Sequence, residues 1–313
     1  VNTLGLTLRR LLPAAVAAVS ALSALAAPGR AQEWRPIGGA LRNVSGMALV
    51  GSDPATTTVL VVHDNKREGE PRAGLVAVPA DGNAPATYTP LAWPTGAPLP
   101  IDLEAVCAVP GTPGEFVALV SSGTAYHVRL DAAAKTLTLV RSFDLPKGPA
   151  GSNYEGFALY RPAGEPGALL YAVWAHRGAA TEPAMVFTAS LDLARGAFGT
   201  SAGTMLRTPW PVENSRSASD LKVDAAGNVF VSSASDPGDD GPFSSALYVA
   251  GRVIRVRETI PGVTLTFEPN DGAVPLRKFR HHKVEAIELV PGADGSVIFG
   301  TDDEAFGASV LRD

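Results

Sequence analysis

A single cysteine, Cys107, is the only thiol in 313 residues, which excludes an internal disulfide framework and any cysteine-rich zinc site. Positive charge is also scarce. Lys and Arg number 26 against 31 Asp and Glu, a net −5 at pH 7, so the chain lacks the clustered basic surface that nucleic acid or an anionic membrane requires. No Gly-x-Gly-x-x-Gly opens a helix, and neither a Walker-type Gly-Lys-Ser/Thr nor a His-Glu-x-x-His is present. What the chain does have is a 46% hydrophobic composition, enough for a core, with 32 Gly and 26 Pro to make many tight turns.

The N-terminal segment reads as an address. Arg9 and Arg10 precede an Ala/Leu-rich run over residues 11–27, no acid occurs before Glu33, and Gly29-Arg30-Ala31 places small residues at a cleavage position. A transmembrane anchor is the competing reading, but the run contains Pro13, is mostly alanine and falls short of the ~20 residues needed to span. Residues 1–31 are therefore expected to be a secretory signal and 32–313 a single domain, periplasmic or extracellular, with no membrane span in the mature protein.

One short pattern occurs five times: a polar residue, any residue, Ser or Glu, a small or acidic residue, then an apolar run. The copies are Asn43-Val44-Ser45-Gly46-Met47, Asp102-Leu103-Glu104-Ala105-Val106, Asn153-Tyr154-Glu155-Gly156-Phe157, Ser217-Ala218-Ser219-Asp220-Leu221 and Lys283-Val284-Glu285-Ala286-Ile287, starting 59, 51, 64 and 66 residues apart. Second apolar runs follow at 59–62, 116–120, 169–174, 229–231 and 297–299, and third runs at 75–78, 126–130, 186–191, 246–249 and 309–312. Four units add a polar, alternating strand, clearest at 136–141 and 264–267. The pattern predicts an all-β five-bladed β-propeller of four antiparallel strands per blade, a sixth degenerate blade being the variant. The last unit lacks its fourth strand. Residues 33–37 can supply it and close the ring.

In a propeller each repeat copy starts the innermost strand of its blade, so Ser45, Glu104, Glu155, Ser219 and Glu285 are expected to ring one mouth of the channel. The loops between second and third strands return to that face, bringing His63-Asp64-Asn65-Lys66-Arg67, Ser121-Ser122, His176-Arg177, Asp236 with Asp239-Asp240, and Thr301-Asp302-Asp303-Glu304. Three converging carboxylates must bind a cation, share protons or pair with bases. Hard oxygen donors with two neutral serines suit Ca²⁺. The competing reading is a ring satisfied by backbone N–H groups and channel water. His281-His282 is expected to be a solvated loop pair, and Cys107 a small buried hydrophobe.

The ordered set Ser45, Glu104, Glu155, Ser219 and Glu285 resembles that of the calcium-activated apyrase family, five-bladed propellers whose blades deliver Ser, Glu, Glu, Ser and Glu to a central Ca²⁺. Lys283-Val284-Glu285-Ala286-Ile287-Glu288 is similar to that family's last motif, Lys-Tyr-Glu-Gly-Ile-Glu, and Asp64, Lys66 and His176-Arg177 fall where it carries acidic and arginine loop residues. Secreted phytase-like and esterase-like propellers, with Asn-x-Glu-Gly motifs, are similar more loosely. Three functions follow as expectations. The first is Ca²⁺-dependent hydrolysis of nucleotides or other phosphate esters, with Asp64, Asp302 or Asp303 as base, Arg177 stabilising developing charge, and Lys66, Arg67, His176, Arg216 and Lys283 binding a small anionic substrate. The second is a non-catalytic periplasmic binding or scaffold propeller with a structural calcium. The third is an esterase or lactonase.

Overall fold

Strands buried on both faces need a run of apolar and small residues rather than strict alternation. The inner repeats supply it: Leu103–Ala108, Tyr154–Tyr160 and Val284–Val290 bury most of their residues. In the computed structural model, which describes residues 33–163, 169–179, 181–256, 265–291 and 296–313, these runs are the first strands of five antiparallel sheets. All described residues fall within the compact unit Gln32–Asp313. The expected signal, residues 1–31, lies outside the described residues, as do Thr264 and residues 292–295.

Blade 1 comprises Gly46–Ser52, Thr56–Val62, Ala73–Pro79 and Thr87–Leu91; blade 2 comprises Leu103–Ala108, Glu115–Val120, Thr124–Asp131 and Thr136–Asp144. In blade 3, Tyr154–Tyr160, Tyr171–His176 and Ala184–Asp192 are followed by an outer edge broken into Ala197–Phe198 and Ala202–Leu206, both paired with Ala184–Asp192. Blade 4 repeats that device. After Ser215–Val223, Asn228–Ser235 and the long Ser244–Arg255, its edge is shared by Leu265–Pro269 and Arg277–Arg280. Blade 5 is Val284–Val290, Ser296–Thr301 and Ala308–Arg312, and its fourth strand is the N-terminal Arg35–Gly38, in register Arg35↔Val310 and Gly38↔Ala308. The ring is thus a five-bladed propeller closed by its two ends, and the inner strands pack on one another in sequence, the fifth against the first. Several strands exceed the expected runs; His176 and Thr301, expected in loops, are strand ends.

The hydrophobic core lies at the junctions between blades. Five clusters form among the described residues, one at each junction; the blade 2–3 cluster holds Trp174 stacked on Phe187 with ring centroids 5.5 Å apart. Each large buried side chain contributes about 1.5–3 kcal/mol, so each blade is stabilised chiefly by its neighbours. Near the axis the packing is tight. A Cβ on Gly156 would lie 2.6 Å from the Leu221 Cβ, and one on Gly46 would lie 2.7 Å from the Ala105 Cα. That approach explains the small residue after the ring position in blades 1, 2, 3 and 5.

Candidate functional site at the channel mouth

In four of the five repeats the Ser/Glu position is where the inner strand slips register. In blades 2, 3 and 5 the pairing skips Glu104, Glu155 and Glu285, so that Leu103 faces Val120 while Ala105 faces Leu119, and likewise in the other two. In blade 4 Ser217, Ala218 and Ser219 stand opposite Ser233 alone. In blade 1 Ser45 donates its N–H to the Val62 carbonyl at 3.2 Å, while Gly46 is the register partner of Val62. A bulge re-aims a side chain out of the pleat. Used in blades 2 to 5, it sets Ser219 and three glutamates within their inner strands; Ser45 stands just before its own, and all five are buried.

The three glutamates feel one another. Burial, then Glu155 and Glu285, hold the Glu104 carboxyl well above the usual carboxylate range. Burial and Glu285 push Glu155 up to about 7 against the pull of Arg216 and Arg177. The ring divides into two kinds of member. Glu155 is ion-paired with Arg177 at 3.0 Å and lies 4.0 Å from Arg216; Glu285 lies 3.3 Å from Arg216 and 3.4 Å from the Lys283 Nζ. By contrast, no hydrogen bond or ion pair among the described residues reaches Glu104, and the buried Ser45 and Ser219 hydroxyls have no partner.

The loops complete the mouth. Arg216 also grips Asp236, and Lys283 reaches Glu304 and, at 3.4 Å, Asp302. Lys66, 60% exposed, pairs with Asp102 at 2.8 Å, and Ser121 donates to the same carboxylate. Asp102 adopts φ 70°, a left-handed conformation that Asp tolerates better than most residues. Asp64 makes no hydrogen bond or ion pair among the described residues, and burial together with Glu285 raises its carboxyl. Burial and Glu285 also hold Asp302 well above its usual range.

Other predicted residues are placed elsewhere or tied down. Arg67 is exposed in a surface turn, its N–H donated to Glu70 and its carbonyl accepting from Arg72, away from the ring. His176 bonds through Nδ1 to the Asn153 backbone, which fixes the loop leading to Glu155. Asp303 accepts the Lys283 N–H and the His282 Nδ1, both at 2.7 Å, and so holds the approach to Glu285. His282 therefore departs from the expected solvated pair: it is tied to Asp303 and lies against Trp34, with centroids 4.4 Å apart, while His281 is exposed. Cys107 is buried, its thiol pushed up to about 12 by that burial. The sequence brought Asp236 and Glu304 to this face on their loops but gave them no role, and Asp102 was legible only as the polar first residue of its repeat copy. The letters Gly199-Thr200-Ser201-Ala202-Gly203 fit a serine-hydrolase elbow, yet Ser201 is exposed between two outer strands of blade 3 and precedes a strand rather than a helix.

The sequence matches no protein-family model, and no curated protein matches it. Among solved structures the chain is similar to an α-L-arabinofuranosidase of Podospora anserina in complex with cellotriose, at 11% identity and TM-score 0.49, over 90% of this chain and 97% of the other. It is also similar to an α-L-arabinanase of Penicillium chrysogenum complexed with arabinobiose, at 8% identity and TM-score 0.45, over the same shares. The fold rests on the strand pairing itself; identities this low carry no chemistry from one site to another.

A cation is tested by the donors present. Among the described residues no three His, Cys, Asp or Glu side chains are grouped as ligands of one metal ion, and Arg216 contacts both Glu155 and Glu285. Of the five ring residues, Ser45, Glu104 and Ser219 have oxygens without a hydrogen-bond or ion-pair partner among the described residues. They are hard donors, the type Ca²⁺ takes together with water. No helix among the described residues is long and apolar enough to cross a membrane.

Proposed function

We propose that the channel mouth is a Ca²⁺-dependent site for small phosphate esters in an exported protein, and that it hydrolyses them. The observation that carries the reading is the divided ring: bases on Glu155 and Glu285, and unpartnered oxygens on Ser45, Glu104 and Ser219. Those three residues would hold the ion, with Glu155 and Glu285 completing the ring. Bound calcium supplies a hard Lewis acid for a phosphoryl oxygen.

The chain's own residues divide the remaining work. Arg177, about one-third exposed, and the more exposed Lys66 offer N–H donors to an anion arriving at the mouth. Arg216 and Lys283, held in ion pairs, set the field around the ring. Asp64 has no partner and a raised carboxyl, so it is the group best suited to orient water and accept its proton. Asp302 and Asp303 are committed to Lys283 and His282 and act as positioning groups. Beside the mouth a cleft of about 480 Å³, lined by Trp210, Asn214, Phe243 and His281, leaves room for the ester's organic part.

The test is a thermal melt in Ca²⁺ and in EGTA, with phosphate release from nucleoside diphosphates followed on the same sample. A calcium-dependent rise in Tm with turnover is expected. Glu104→Gln should abolish the rise, and Asp64→Asn should lower the rate about 100-fold while retaining it. A rise without turnover would assign the mouth to binding alone; no rise would make the ring architectural.

A further inference from the structure

The inner strands run from the Ser/Glu ring to the opposite end of the channel, where a second cavity of about 580 Å³ opens among the last residues of the inner strands of blades 2 to 5 and the turns that follow them. Much of its wall is apolar, from Leu159, Val223, Phe230, Leu289 and Val297. Lys222 and Glu288 are set into that wall, and Asp220 lies behind them. The Lys222 ammonium donates to Asp220 Oδ1 and to the Val106 carbonyl, both at 3.2 Å, and lies 3.1 Å from Asp220 Oδ2, so it is engaged by Asp220 and by blade 2. Asp220 accepts the Leu221 and Ile287 N–H groups as well, at 2.7 and 2.9 Å.

Glu288 is the group left over. It accepts the Leu289 N–H at 3.1 Å and a backbone N–H from Leu49, and no Lys, Arg or His ion-pairs with it among the described residues. Two acids therefore share one base here, and the acid without its own cation faces the cavity. An anion entering would meet the Glu288 carboxyl, while the nearby ammonium is already paired with Asp220. A cation would supply what the wall lacks.

We propose that this far cavity is a second binding site, independent of the ring, for a small organic cation: an ammonium or guanidinium group received by Glu288, on an apolar body received by the surrounding side chains. Its volume lies within the range of small-molecule pockets, and its lining, apolar with few convergent polar groups, is of the same kind. Burial pushes Glu288 up to about 7 against the pull of Lys222, with Asp220 adding to the rise. A bound cation favours its ionised form. Uptake near neutrality is therefore accompanied by proton release and tightens as pH rises; Lys222, Asp220, Cys107 and Asp224, which caps its own turn by accepting the Ala226 and Asn228 N–H groups, are the other titratable groups around it.

The experiment is calorimetric titration of the full chain in EGTA, where the ring plays no part, with benzylammonium, n-hexylammonium and phenylguanidinium, and with benzyl alcohol as the neutral control. One-to-one binding of at least one cation is expected, at least tenfold tighter than the alcohol and tighter at pH 8 than at pH 6. Glu288→Gln should weaken it at least tenfold. Ala108→Trp, at the exposed rim and remote from the charge, should block it with all three charges intact, so the proposal stands or falls even where the first variant folds poorly. No binding by any of the three cations, equal binding of the alcohol, or unchanged binding in either folded variant would overturn it.

Discussion

A carboxyl buried beside another carboxyl keeps its proton to higher pH than one in water, and this protein holds several in that state. Glu155 and Glu288 are each pushed up to about 7 and Asp220 to about 6, burial being the first cause in every case. The unfolded chain releases those protons near the ordinary values, 4.5 for Glu and 3.8 for Asp, while the folded chain still binds them. The folded state then carries more protons, so stability falls as pH rises from about 4 to 7. Urea unfolding in EGTA should show that decline, and Glu288→Gln should flatten the part between 4.5 and 7; an identical slope in the variant would remove Glu288 from the account. At this scale the sequence showed which side chains are special, through the repeated Ser or Glu. It did not show their partners. Arg216 reaches Glu285 across 69 residues, and His282 was legible only as one of a pair.

Strand by strand, the bulge is what converts a repeated letter into a site. The apolar runs announced inner, second and third strands, because burial on two faces leaves a continuous run in the sequence. Register is another matter, since a slipped pair depends on the partner strand and carries no mark of its own. The junction of blades 2, 4 and 5 depends on one such neighbour relation. Lys222 binds Asp220 and the Val106 carbonyl of blade 2, and Asp220 accepts the Ile287 N–H of blade 5. Lys222→Met leaves Asp220 buried without its base and should cost about 3–5 kcal/mol. Adding Asp220→Asn removes the stranded charge and should recover much of that loss. Chemical denaturation of both variants measures it, and additive losses would show that the two residues do not act as a pair.

Closure is a property of the whole molecule. Arg35–Gly38 covers the edge of Ala308–Arg312, buries Ile37, and follows Trp34, which packs on Phe279 and His282. Deleting residues 33–38 opens a strand edge and an apolar seam, a loss of about 3–5 kcal/mol that should lower Tm by roughly 10 °C and promote self-association. Scanning calorimetry and light scattering measure both; an unchanged melt would show that the ring holds without its closing strand. By itself the sequence determined a repeat of blades, with a sixth degenerate one left open, the position of each inner strand, the N-terminal run that could close the ring and the five Ser/Glu positions, because strand burial and turn chemistry are local and repeat with the chain. Tertiary structure alone decided that Arg216 joins Glu155, Glu285 and Asp236, that Glu104 has no ion-pair partner among the described residues, and that Lys222, Asp220 and Glu288 meet at the far end. Those outcomes depend on charges far apart in sequence that only the closed ring brings within a few ångströms, where low dielectric makes each partner matter.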